Sequence, residues 1–272
     1  MRITERDEKL FMSLYQFEYL DLEYIQKYVY IDMHQTYISK RIKMLSTNGY
    51  VEAIACWHKS PVSNQSYKQV YKIGTTGYDW LCSTVGEGTQ LKPVAKDQAT
   101  ITRMIEIAHM VSRYQQSGRG IIYMNAERAA FQYGLNQRGQ IRPAGQLLVP
   151  VLVNNQSMYI SYWIELERTR GSIENLALNL KRYNQFLHFK AYEKQLIYDR
   201  PVFAFRVLSI ARDETSMYQQ MHRLKDLKFD VPIYFTTKEE AFGNPLGNIY
   251  NTFGEKAVDL FGNAKNKGGA II

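Results

Sequence analysis

Residues 35–51 read QTYISKRIKMLSTNGYV. Ile38, Ile42 and Leu45 recur at i, i+4 and i+7, the spacing of one apolar helix face. Asn48 and Gly49 then supply the residues that tolerate a left-handed helix stop. A helix over residues 33–47 follows, with Gln35, Thr36, Ser39, Lys40 and Lys43 on the side away from its apolar stripe. Upstream, Thr4 is placed to cap a helix whose first turn is acidic (Glu5, Asp7, Glu8), as the helix dipole prefers. Leu10, Phe11, Leu14 and Phe17 give that helix its buried side. A short second helix over residues 21–28 turns Leu22 and Ile25 inward, with Val29 following.

Downstream, residues 50–57 and 67–73 are rich in β-branched and aromatic side chains and are separated by a polar loop with Pro61, Asn64 and serines, which predicts a hairpin. Thr75, Thr76 and Gly77 open a further helix through Trp80 and Leu81. Three helices followed by a β-hairpin is the winged helix-turn-helix order. The junctions Leu45 to Val51 and Ile73 to Gly77 resemble those of winged-helix regulators. In such a domain the third helix anchors through its apolar face and offers its polar face to a major groove. Lysine and glutamine reach base edges or phosphates there, and serine and threonine satisfy phosphate oxygens. Gln35, Thr36, Ser39, Lys40 and Lys43 are thus the candidate contacts on the helix. His58, Lys59, Asn64, Gln65 and Lys68 are the candidates on the wing. His34 reads as a cap or surface residue.

The 272 residues carry a net charge of +8. Residues 1–90 hold ten cations and ten acids, so the whole excess lies in residues 91–272. Even so, residues 34–72 contain six basic side chains (Lys40, Arg41, Lys43, Lys59, Lys68, Lys72) against the single acid Glu52. A local basic face of this kind favours a polyanion, and double-stranded DNA is the expected partner. Apolar content of 45% and charged content of 22% exclude a disordered or collagenous chain. No stretch of about 18 apolar residues could span a bilayer, and the charged N-terminus is unlike a signal peptide. With only Cys56 and Cys82, neither a disulfide framework nor a metal knuckle is expected, and a reduced, cytoplasmic compartment fits. Phosphate-binding loops and the hydrolase nucleophile elbow are absent from the sequence, and Gly86-Glu87-Gly88 is too short to count as a dinucleotide fingerprint. The five histidines are dispersed; no metal and no cofactor is expected.

Residues 85–96 read as a linker. Residues 97–116 return to helical periodicity through Ile101, Ile105, Ala108, Val111 and Tyr114, with His109 beside that stripe. This helix could pack onto the winged helix, start the second domain or pair in a homodimer that addresses a two-fold site. From Gly120 an α/β pattern follows. Strands are expected at 121–124, 146–153, 157–167, 201–211 and 231–236. Helices are expected at 126–133, 172–189 and 213–227, and Asn154-Asn155 supplies a turn.

Ile141-Arg142-Pro143-Ala144-Gly145 before a strand, and Trp163-Ile164-Glu165-Leu166-Glu167-Arg168-Thr169 before a helix bearing Leu180-Lys181-Arg182-Tyr183, complete the pattern. With the N-terminal order, the chain resembles the replication-relaxation family of plasmids, phages and conjugative elements of Gram-positive bacteria. That resemblance implies an α+β winged helix-turn-helix followed by an α/β PD-(D/E)XK nuclease-like domain, working in replication, transfer or their regulation. A rival reading makes the protein an interaction adaptor whose nuclease-like domain dimerises or docks onto a relaxase or replication initiator. Such a nuclease needs an aspartate at the strand start and a Glu-x-Lys on the next strand, to hold Mg²⁺ and activate water. Here Ala144 stands in place of the aspartate, and Glu167 in place of the lysine. The domain is therefore expected to be catalytically degenerate, with Glu165 and Glu167 paired to Arg142, Arg168 or Arg182. The competing expectation is an endonuclease or nickase built on Glu127, Glu165, Glu167 and a displaced Lys181.

The expected organisation is residues 1–84 as the winged helix, 85–96 as linker, 97–261 as the helix plus nuclease-like domain, and 262–272 as a basic tail.

Overall fold

Thr4 caps the first helix through a reciprocal box: Asp7 N–H reaches the Thr4 hydroxyl, and the Thr4 N–H donates to Asp7 Oδ2. The computed structural model describes residues 1–85, 96–133, 139–167, 172–189, 200–254 and 258–260. It divides into two compact units, Met1–Ser112 and Arg113–Ile272.

The first unit begins with α1 (Glu5–Phe17) and α2 (Leu22–Tyr24), the latter continuing as a π-helical turn, Ile25–Val29. The expected second helix is thus real in extent, but most of it is wound wider than an α-helix. Next come α3 (Gln35–Thr47), β1 (Val51–Lys59), β2 (Ser66–Ile73) and α4 (Thr75–Val85). β1 and β2 pair antiparallel, with an irregularity between Ala55 and His58. Gly49 ends α3 at φ +73°, as its sequence position required. Gly77 is needed for closeness instead: a Cβ there would lie 2.2 Å from the Tyr50 carbonyl oxygen, where α4 leaves the hairpin.

α5 (Gln98–Gln115) forms over the stretch of helical periodicity that follows the expected linker. Its Ile101 and Ile105 pack with Tyr19, Cys56 and Val70, covering the inner side of the hairpin. The helix belongs to the first unit as far as Ser112, because that apolar stripe has its partners there. The predicted linker lies almost wholly outside the described residues, as do Gly86-Glu87-Gly88, Arg168 and the predicted tail.

The second unit is a mixed α/β layer structure. Its five-stranded sheet has the order β3 (Ile122–Asn125), β6 (Gly145–Val153), β7 (Gln156–Leu166), β8 (Val202–Ala211), β9 (Ile233–Thr237). The β3–β6 and β6–β7 pairs are antiparallel, and β7–β8 and β8–β9 are parallel. α6 (Ser172–His188) follows β7, and α7 (Glu214–Leu224) follows β8. Asn154 and Asn155 both take positive φ in the tight β6–β7 turn. α8 (Lys238–Gly243) follows β9. Trp163, Leu180, Tyr183, Phe186, Phe205 and Val207 belong to a core cluster of this unit, between sheet and helices.

The helix expected at 126–133 is not formed. Asn125 Oδ1 accepts from Arg128 N–H, closing a single turn. β4 (Phe131–Tyr133) then pairs with β5 (Gly139–Ile141). Phe131 and Tyr133 alternate with exposed Gln132, and both set their ring edges against Phe186. A two-residue period with aromatic partners outweighs helix propensity here. No helix among the described residues is long and apolar enough to cross a membrane.

Candidate nucleic-acid interface

α3 presents two chemically different sides. Ile38, Ile42 and Leu45 are buried, while Gln35, Thr36, Ser39, Lys40 and Lys43 are all exposed. His34 caps the helix by accepting from Thr36 N–H at Nδ1. Neither Lys40 nor Lys43 has an acidic partner within ion-pair distance among the described residues. Arg41, between them in sequence, turns inward. Its Nε donates to Asp7 Oδ1 at 2.9 Å, its Nη2 reaches Asp7 Oδ2, and the same nitrogen donates to the Arg2 carbonyl. Tyr30 also donates to Asp7, at 2.6 Å. Burial alone would raise the Asp7 carboxyl. Arg41, Tyr30 and Thr4 reverse that, and it is held down at about 2. Arg41 therefore fixes α3 on α1 and adds nothing to the outward field. Lys72 is likewise paired, with Glu52 at 3.0 Å.

On the hairpin, Lys59, Asn64, Gln65 and Lys68 are exposed. Asn64 takes φ +62° at the tip, and Gln65 accepts from the Tyr67 hydroxyl. His58 is a correction: it is buried, not a surface contact. Its side chain enters a cluster with Asp21 and His109, since alternation along β1 points residues 56 and 58 inward and 57 and 59 outward.

The same alternation exposes Trp57, which the reading of polar residues passed over. It is 59% exposed, and Lys68 Nζ lies 5.1 Å from its ring centre. On α3, Tyr37 and Met44 are exposed beside the polar contacts.

The second candidate site lies at one end of the β6–β7 pair. Ala144 N–H donates to the Ile164 carbonyl at 3.0 Å, which sets Ala144 beside Glu165 across the strands. Glu165 accepts from the Tyr183 hydroxyl and from Asn179 Nδ2, both on α6. Burial and that neighbouring carboxylate push the Tyr183 phenol well up. Glu167 accepts from the backbone N–H of Arg212 at 2.9 Å, and Glu127 from Arg142 at 2.8 Å. Lys181 is exposed on α6. Among the described residues no three acidic, histidine or cysteine side chains come together as a metal site. Glu127, Glu165 and Glu167 thus do not gather into one metal-holding group among the described residues. Of the arginines expected to pair with Glu165 and Glu167, Arg142 takes Glu127 instead, and Arg168 lies outside the described residues.

No family model matches the sequence, and no curated protein matches it. Among solved structures, the chain is similar to the restriction endonuclease FokI at 12% identity and a TM-score of 0.32, over 89% of this chain and 44% of that one. FokI bound to DNA gives 14% identity and a TM-score of 0.31, over 89% and 45%. The chain thus spans less than half the length of the structures it matches.

Proposed function

We propose that the protein binds double-stranded DNA through a winged helix-turn-helix formed by its first unit, as a regulator or as an accessory factor of replication or transfer in a mobile element. One observation carries the reading. The outward face of α3 holds Lys40 and Lys43 without acidic partners among the described residues, beside Gln35, Thr36 and Ser39, while the adjacent arginine is retained for the core. In this reading α3 enters the major groove. The β1–β2 hairpin is the wing, with Lys59, Lys68 and Trp57 against the neighbouring backbone. The second unit is a PD-(D/E)XK-like scaffold without catalysis, because an alanine stands beside Glu165 and the carboxylates are engaged by neutral donors and an arginine. A homodimer on a two-fold site, docked to a relaxase or replication initiator, extends the proposal.

The test begins by selecting duplex ligands from a random pool, then measuring affinity from about 50 to 200 mM salt. Replacing Lys40 and Lys43 together with alanine should weaken binding at least tenfold. It should also reduce the log–log salt slope by about 1.8, two lost phosphate contacts at ~0.9 each. Unchanged affinity and slope would remove the assignment. The scaffold reading has its own assay. Supercoiled, linear and single-stranded DNA should remain uncut with Mg²⁺ or Mn²⁺, and cleavage abolished by Glu165→Ala would overturn it.

A further inference from the structure

We propose that Asp21, His58 and His109 form a buried charged latch, with His58 as the imidazolium, that fixes the β1–β2 hairpin against α2 and α5. The three side chains are fully enclosed and come from three different elements: the cap of α2, strand β1 and helix α5. The inference stands whether or not the hairpin meets DNA.

The hydrogen bonds dictate where the protons sit. A carboxylate only accepts. Asp21 Oδ1 takes the Tyr24 N–H at 2.7 Å and His109 Nε2 at 3.0 Å, and Oδ2 takes His58 Nε2 at 3.3 Å. Both imidazoles must therefore present N–H at Nε2. His58 Nδ1 faces the Cys56 carbonyl oxygen at 3.3 Å, which also only accepts. His58 consequently carries a proton on each nitrogen. His109 Nδ1 is buried without a hydrogen-bond partner among the described residues, so that nitrogen is bare and the ring neutral. One anion, one cation and one neutral ring sum to zero, the only balance that an enclosed site tolerates at low cost. Burial would raise the Asp21 carboxyl, but the hydrogen bonds from the two histidines and the Tyr24 N–H, with the charge of the cluster, hold it far below the usual range.

The surroundings contain few other charges. Tyr67 of β2 stacks on His58 at 5.6 Å, and its hydroxyl donates to Glu23 at 3.3 Å. Tyr24 and Tyr28 set their edges toward His109, and the Tyr24 hydroxyl pairs with Ser112 of α5. From β1 the Cys56 thiol is near, and burial raises it. Removing the second proton from His58 would set a lone pair against Asp21 or against the Cys56 carbonyl. It would also leave the carboxylate unbalanced. The two-stranded hairpin is the element that yields, since such a pair is marginal without packing. Hairpin stability falls in strong acid, as the depressed Asp21 carboxylate gains a proton.

Long-range proton–nitrogen spectra of the full chain labelled with ¹⁵N-histidine test this directly at pH 7. Of five histidines, His58 should show two protonated nitrogens, and His109 a protonated Nε2 with a bare Nδ1. A bare nitrogen on His58 overturns the proposal, and this measurement needs no variant. In Asp21→Asn the amides of residues 66–73 should exchange at least tenfold faster and His58 should become neutral, with α3 protection unchanged. Unaltered hairpin exchange, or an equal loss in α3, would refute the latch.

Discussion

The α3 surface and the strand end around Glu165 treat their charges in opposite ways. On α3, two lysines face solvent with no acid beside them among the described residues, while the arginine between them is taken into the core by Asp7. At the strand end, the half-buried Glu165 accepts from Tyr183 and Asn179, and Glu167 is held on a backbone amide. On the proposed function, a charge that must meet a partner is left without one in the folded chain. A charge that builds the fold is given its hydrogen bonds internally. That distinction, more than net charge, separates a binding surface from a structural site.

The comparison breaks first at Asp7. Asp7→Ala leaves the half-buried Arg41 guanidinium and the Tyr30 hydroxyl without their acceptor and should cost about 2–3 kcal/mol, read as a fall in denaturant midpoint. If the loss is under about 1 kcal/mol, Arg41 is free to join the outward field and the contrast fails. Acid sharpens the same point. Asp7 sits at about 2 in the folded chain against 3.8 for an ordinary aspartate, so its stabilisation is full above about pH 4. It is lost as pH falls through about 2, a change of roughly 2–3 kcal/mol that Asp7→Asn should remove from an acid titration. Next in size, the Lys40 and Lys43 double alanine variant should keep its melting temperature while losing at least tenfold in DNA affinity. A loss of stability instead would place the lysines with the structural charges. Glu165→Gln should cost about 1 kcal/mol through its weakened bond to Tyr183 and leave DNA affinity untouched. The smallest effect is Trp57→Ala. It should shift stability by at most about 0.5 kcal/mol, as exposed positions do, while weakening DNA binding.

Much of this was legible beforehand where it depends on neighbours in the chain. The caps at Thr4 and His34, the apolar stripe of α3 and the Asn154-Asn155 turn all follow from spacings of four residues or fewer. So did the long apolar run that became β8. The misses share another cause. Arg41 stands three residues after Ile38 and four before Leu45, on the flank of the buried stripe, but its acceptor is 34 positions away. His58 was read with its polar neighbours, although strand alternation already placed it opposite Trp57 and Lys59. For the helix expected at 126–133, the decisive partner was Phe186 on a distant helix.

The sequence by itself determined that residues 35–47 form a two-faced helix followed by a hairpin, because helix and strand periods are local properties of the backbone. It also placed Ala144, which has no ligating atom, just before β6. Only the tertiary structure decided which charges are spent inside. An ionisable side chain looks the same in the chain whether it faces water or an oppositely charged group brought in from far away. Burial makes that pairing obligatory, and folding alone brings the partner.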